Sequence, residues 1–296
     1  MEKDLNQALE RELVVSGPDA FKFLQSQLTC DLRELSNTRA LAAALCDQKG
    51  RVQAVVIIYQ HPVDQSYRLI GPVSEFDFLL SRLKKYAVFS KLTFKPAESF
   101  IDHVKLSESH EPFQLSMRNN QVISISYPDQ SKQRALVIYP QSSPSPSPSP
   151  SLSLSLSLNP DQDIMRENQL DWIRNNIYAK WPILSEKTRD LFTPHMLGLE
   201  KIGGVSFSKG CYLGQEIVAR TEHLGKVKRH LYQLKLSTKN SVKAGDTLSS
   251  LDKPEETLGW VISAVDDLAL AVIEDRTITD TLQVIGHSTI AQVIKN

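Results

Sequence analysis

The chain has 296 residues, more than a compact domain of roughly 100–200 residues, so two or three domains are expected. Apolar residues make up 41% of it, enough to build packed cores, and 34 basic against 34 acidic residues give zero net charge at neutral pH. That balance excludes a global attraction to an anionic membrane or to nucleic acid; direct nucleic-acid binding is not expected, and any RNA contact would need a local patch.

The N-terminal stretch MEKDLNQALERELVV lacks the apolar core of a signal peptide. Arg11 to Ser16 reads as a strand, and Gly17-Pro18-Asp19 turns the chain into a helix with Phe21, Leu24 and Leu28 on one face. Two β-prone runs, Ala40 to Asp47 and Val52 to Gln60, are joined by Gln48-Lys49-Gly50-Arg51, where the glycine suits a hairpin. The apolar run from Val52 to Tyr59 is far shorter than the ~20 residues that cross a bilayer. A helix is expected over Glu75 to Val88, with Ser74 as its cap and Phe76, Leu79, Leu80 and Leu83 as its apolar stripe. The strand-like segments KLTFK, FQLSM, VISISY and RALVIYP follow.

Ser142 to Leu158 is a low-complexity tract, SSPSPSPSPSLSLSLSL. Its Ser-Pro half favours extended, solvated backbone, while its Ser-Leu half has the period of an edge strand; a loop without chemistry is the preferred reading. Asp161 to Tyr178 reads as a helix with Leu170, Ile173 and Ile177 as its buried stripe. Trp172 projects about 160° from that stripe, so it either packs against another domain or lines a pocket. From His230 onward short strands with turn signals suggest a small barrel or sandwich. Mixed strands and helices ahead of it define an α+β class with antiparallel sheets.

Three cysteines, Cys30, Cys46 and Cys211, contain no CxxC, so neither a disulfide framework nor a metal cluster is expected and reduced cytoplasmic thiols fit best. Cys211 sits in Lys209-Gly210-Cys211-Tyr212-Leu213-Gly214-Gln215-Glu216, continued by Ile217-Val218-Ala219-Arg220. A helix over Tyr212 to Arg220 would put this thiol near helix-terminal N–H groups, with Lys209 as a nearby cation, both favouring a thiolate. A small residue in a turn is the plainer alternative. Gln215, Glu216 and Arg220 suit loop orientation or a carboxylate ligand, and Glu216 with Arg220 also has the spacing of an intrahelical ion pair. Lys226, Lys228 and Arg229 form a basic cluster that is either solvated surface or a contact for RNA or polyglutamate.

The eight-residue stretch resembles the K-G-C-[YF]-x-G-Q-E signature of the YgfZ family, with a matching lead-in Gly203-Gly204-Val205-Ser206-Phe207. SGPDAFKFLQSQLTCDL, ALCDQKGR, LKKYAVFSKLTF and FTPHMLGLEKIGG extend the likeness over most of the chain. The resemblance implies the scaffold of the glycine-cleavage T-protein: three domains around a central channel, with a small C-terminal β-barrel. The expected division is a first domain from 1–44 resumed at 160–228, a second over 45–159, and the barrel over 229–296. It implies a tetrahydrofolate ligand contacting Trp172, with Lys209, Gly210, Tyr212, Gln215, Glu216 and Arg220 around it and Cys211 as the reactive residue. The implied role supports iron–sulfur client proteins, among them tRNA-modifying enzymes. Glu10 falls where the family has a second folate-associated tryptophan. A folate-dependent aminomethyl- or one-carbon transferase is the alternative, but Gly50 to Val55 lacks the carboxylate pair that T-proteins carry there.

Overall fold

Most of the β-prone runs become strands, because alternating β-branched and apolar residues can bury one face of a pleated ribbon. The computed structural model describes residues 9–106, 109–118, 121–128, 133–140, 165–277 and 281–294. The tract over Ser142 to Leu158 lies outside the described residues. In chain order, β1 (Glu10–Ser16) is followed by α1 (Ala20–Gln27), β2 (Leu41–Cys46), β3 (Val52–Gln60), β4 (Tyr67–Pro72) and α2 (Phe76–Tyr86). Then come β5 (Thr93–Pro96), β6 (Ser99–Lys105), β7 (Leu115–Arg118), β8 (Val122–Ser126), β9 (Arg134–Pro140), β10 (Met165–Arg166), α3 (Gln169–Tyr178) and α4 (Gln215–Leu224). Six strands close the order: β11 (Arg229–Leu236), β12 (Thr247–Ser250), β13 (Gly259–Val265), β14 (Leu268–Glu274), β15 (Leu282–Val284) and β16 (Ile290–Val293).

The chain packs as two compact units. The first takes its described residues from Met1–Phe23, Leu32–Leu41 and Val56–Trp172. It holds an antiparallel sheet in the order β3-β4-β1-β5, with Ile57 opposite Ile70 and Leu13 opposite Leu69. Leu79 of α2 packs over Gly71 of this sheet. A second antiparallel sheet runs β10-β6-β9-β8-β7, with Val104, Ala135, Val137 and Tyr139 in its core. The second unit takes Leu24–Asp31, Ala42–Val55 and Ile173–Asn296. Its last part is a closed barrel, β11-β14-β13-β12-β15-β16, filled by Leu234, Leu248, Val261, Ala269, Ala271, Ile273 and Leu282. The α+β class and the C-terminal barrel therefore stand as the sequence predicts.

Several element limits differ from the sequence expectation. On α1 the buried partner of Leu24 is Phe23, 5% exposed, while Phe21 is 41% exposed. α2 ends at Tyr86, not Val88, and follows a 3-10 turn over Val73–Glu75, so Ser74 does not cap it. Residues 165–166 pair with β6 as a strand, and α3 starts only at Gln169. The cause is Asn168, whose Oδ1 accepts the Asp171 N–H at 3.0 Å and so caps the helix there. Leu170 is 56% exposed and Trp172 is buried, so the buried stripe is rotated from the one expected. α4 starts at Gln215 rather than Tyr212. Strands β4 and β6 were not expected, since YRLIGP and SFIDHVK carry glycine, proline or charge at positions that mask the alternation.

Candidate functional site

The loop that carries Cys211 is built from the end of α1. That helix leaves carbonyls with no partner beyond its last turn, as every helix does. The ammonium of Lys209 enters from the loop and donates to Gln25 O at 2.6 Å, Leu28 O at 2.8 Å and Cys30 O at 2.7 Å. Three donors meet three acceptors at the negative end of a helix. Lys209 is 4% exposed, and its ring neighbour Tyr212 lies 5.1 Å away. The backbone is tied further by Leu213 N–H to Ser26 O at 3.1 Å. Thr29, fully buried, receives the Ala44 N–H at 2.8 Å and donates to Gly204 O at 2.5 Å, joining β2 to the lead-in glycines.

On its other side the loop lies against the turn between β2 and β3. Gly214 has φ +82°, and a Cβ there would stand 2.4 Å from Asp47 O and 2.9 Å from Gly50 Cα. Only glycine permits that approach. Gly210, by contrast, has open space around it and no positive φ, so the close approach is made at Gly214 and not at Gly210. Since Gly214 is the residue before α4, Cys211 lies four positions ahead of Gln215 and outside the helix terminus. The Lys209 ammonium points at the carbonyls of Gln25, Leu28 and Cys30.

Cys211 is exposed, whereas Cys30 and Cys46 are buried. Its thiol opens on a hollow of about 590 Å³, lined among others by Gln27, Gln48, Tyr212, Gln215 and Glu216. Gln27 is 9% exposed, and its Oε1 has no hydrogen-bond partner among the described residues. Tyr212 is buried, and its hydroxyl has no partner among the described residues; burial first, then the nearby Cys46 thiol, pushes its pKa up. Gln215 Nε2 reaches Lys209 O at 3.4 Å. Glu216 and Arg220 are exposed on α4, and among the described residues they form no ion pair with each other. The structure thus gathers Cys211, Tyr212, Gln215 and Glu216 at one hollow, with Lys209 beneath them. Gln27, Gln48 and Thr29 were not singled out from sequence, because glutamine and threonine in a helix end or hairpin turn carry no pattern. Among the described residues no group of three or more His, Cys, Asp and Glu side chains could hold a metal ion.

Trp172 belongs to the first unit. It is 6% exposed, and its indole meets the His103 ring edge-on at 5.8 Å. Its Nε1–H has no acceptor among the described residues. His103 in turn faces Glu10, Nε2 to Oε2 at 3.1 Å, without the alignment of a hydrogen bond. The Tyr127 hydroxyl donates to Glu10 Oε1 at 3.4 Å. Two residues on, Glu12 receives Ser99 Oγ at 2.7 Å and the hydroxyl of Tyr59. Burial, then the Glu12 and Glu10 charges, push the pKa values of Tyr59 and Tyr127 well above the ordinary tyrosine range. β1 thus turns two carboxylates inward, a feature that the strand reading of RELVVS did not anticipate.

No family model matches the chain. The tRNA-modifying protein YgfZ of Colwellia psychrerythraea is 30% identical over 235 residues, 79% of this chain and 72% of that protein. The protein of the same name from Pectobacterium carotovorum is 32% identical over 264 residues, 84% of this chain and 75% of its relative. That of Escherichia coli O127:H6 is 28% identical over 263 residues, 85% and 77% of the two chains. Among solved structures, the glycine cleavage system aminomethyltransferase T from Bartonella henselae covers 97% of this chain and 83% of its own at a TM-score of 0.73. At 13% identity that likeness shows the fold alone. No helix among the described residues is long and apolar enough to cross a membrane.

Proposed function

The chain belongs to the YgfZ family, and from that premise we propose that it is a cytoplasmic folate-binding protein that supports iron–sulfur proteins and, through them, tRNA modification. The observation that carries this reading is an exposed Cys211 within K-G-C-Y-L-G-Q-E, held by the Lys209 clamp at the mouth of a hollow. The proposed partners are iron–sulfur client proteins, tRNA-modifying enzymes among them, which meet the thiol at this hollow. The three-domain arrangement around a channel, with the division given above, belongs to the same proposal.

A reduced folate fits the residues in one respect: the buried Trp172 N–H lacks an acceptor among the described residues, and a ring carbonyl or ring nitrogen would supply one. Glu10, which faces His103, stands where the family resemblance puts a second tryptophan. When bound, tetrahydrofolate supplies a carrier for a one-carbon unit. The chain's part is to hold and orient: His103 fixes the plane of Trp172, Lys209 fixes the loop, and Gln215, Glu216 and Arg220 offer polar groups next to the thiol.

Two measurements test this. Tetrahydrofolate titration should quench tryptophan fluorescence in the wild type and much less in Trp172→Phe; unchanged affinity and quenching in that variant would remove Trp172 from the site. Cys211→Ser should melt within about a degree of the wild type, because the side chain is exposed and nearly isosteric, yet fail to rescue an iron–sulfur-dependent tRNA thiomethylation defect. Full rescue would end the case for thiol chemistry.

A second reading, aminomethyl transfer, is favoured by one contact. Asp190 reaches Gln53 Nε2 at 2.8 Å, so a carboxylate from outside Gly50 to Val55 does stand beside this strand. Its exposure makes it a poor substitute for a buried acid. A reconstituted glycine-cleavage assay should show no turnover; substantial turnover, abolished in Asp190→Asn, would establish the transferase instead.

A further inference from the structure

Phe89, at 98%, is the most exposed large apolar residue among the described ones, and its neighbour Val88 is 72% exposed. They sit on the turn between α2 and β5, flanked by exposed Lys84, Lys85, Tyr86 and Lys91. A single surface apolar residue is ordinary, but a whole phenylalanine ring displayed on a fixed turn is not. The turn is fixed at both ends. Ala87 N–H donates to Lys84 O at 3.2 Å and Ser90 N–H to Ala87 O at 2.9 Å. Lys91 N–H donates to Asp19 Oδ2 at 2.7 Å, and Asp19 N–H returns to Lys91 O at 3.3 Å. Gly17, at φ +122°, lets the two segments touch: a Cβ there would stand 2.6 Å from Lys91 O.

The charge of this tip is unbalanced. Among the described residues Lys84, Lys85 and Lys91 have no ion pair, whereas Lys95 a few positions on is matched by Glu98 at 3.2 Å. Asp19, which meets this turn, accepts the Lys91 amide. The Arg82 guanidinium lies 4.0 Å over the Tyr86 ring and the Lys85 ammonium 5.9 Å from it, leaving Phe89 as the bare ring.

We propose that this tip binds single-stranded RNA, with an unpaired base stacked on Phe89 and the neighbouring phosphates held by Lys84, Lys85 and Lys91. A bare aromatic face accepts any base, and three cations without an ion pair among the described residues release counterions from the strand. Because the whole chain carries zero net charge, this local patch supplies the attraction that the overall field does not. A bilayer needs more apolar area than a two-residue ridge. A protein interface needs an apolar core screened from water, which a ridge between lysines does not provide. The proposal is independent of the folate reading, since neither Trp172 nor Cys211 takes part.

The test is fluorescence anisotropy of the full chain with a labelled oligouridylate of about a dozen bases, from about 50 to about 200 mM salt. Saturable binding is expected, weakened about tenfold in Phe89→Ala with the salt dependence retained. The triple variant Lys84→Gln, Lys85→Gln, Lys91→Gln should bind more weakly, with the logarithmic salt slope reduced by about 2. Both variants should melt like the wild type, as the altered side chains are exposed. Absence of saturable binding at the lowest salt, or binding indifferent to both variants, would overturn the proposal. Phe89-dependent binding that is as strong to phosphatidylglycerol vesicles, or to an oligoglutamate peptide, would also overturn it and assign the tip to a membrane or an acidic protein.

Discussion

Lys209 shows how a residue chosen for one reason serves by another. Its motif position suggested a charge beside the thiol, but the ammonium is spent on three carbonyls at the end of α1. Lys209→Met should therefore cost about 3 kcal/mol or more, because those buried acceptors lose a charged donor. Urea unfolding measures the loss, and faster labelling of Cys211 by an aromatic disulfide in native conditions should accompany it. Tyrosines report burial in the same way. Tyr59, Tyr127 and Tyr212 have raised pKa values, and Tyr232, through burial and then Asp275, is pushed up to about 12. A raised tyrosine is neutral in the fold where the unfolded chain would already ionise. Its contribution to stability is therefore complete below about pH 10 and is lost as the pH rises from there toward the folded value. A titration followed near 295 nm should show fewer than the 8 tyrosines ionising before the fold is lost. Tyr59→Phe should weaken the alkaline loss while costing stability at neutral pH, since Glu12 loses a donor. The site was legible in part: a cysteine between fixed polar and glycine neighbours is a pattern, whereas an inward-facing Glu10 or an unpartnered Gln27 depends on which way a side chain points.

At the level of elements, periodicity and turn chemistry located most strands and placed helices correctly along the chain, but not their ends. α3 begins at Gln169 because Asn168 caps it, a signal present in the sequence and overridden by the apolar count upstream. Its stripe was assigned from Leu170, and that phase error put Trp172 on the wrong side. The two motif glycines make a clean comparison. Gly214→Ala forces a left-handed residue and a contact at 2.4 Å, and should destabilise by about 3 kcal/mol. Gly210→Ala meets open space and should lie within about 0.5 kcal/mol of the wild type. Equal losses in thermal melts of the two variants would contradict the loop geometry.

Over the whole molecule, equal numbers of basic and acidic residues and an isoelectric point near 7.1 remove most colloidal repulsion at neutral pH. Light scattering of concentrated protein should peak near pH 7 and fall on moving about two pH units either way. That property was readable from composition alone, whereas the short strands after His230 left a barrel or a sandwich open and the barrel was implied only by the family resemblance. The grouping of residues 24–31 with 42–55 and the second half of the chain was not readable, since Lys209 and Thr29 join segments nearly 180 positions apart in sequence. Closure of the barrel also has a temporal side. Leu234 of β11 pairs with Val293 of β16, so the ring is completed only once β16 has been made. A nascent chain released before Ile290 leaves β11 and β15 each with an open edge, ready to recruit another such chain. Truncation ahead of β16 is therefore expected to yield insoluble protein, and a ribosome stalled before β16 is made displays the same sticky edges to whatever chaperone is nearest.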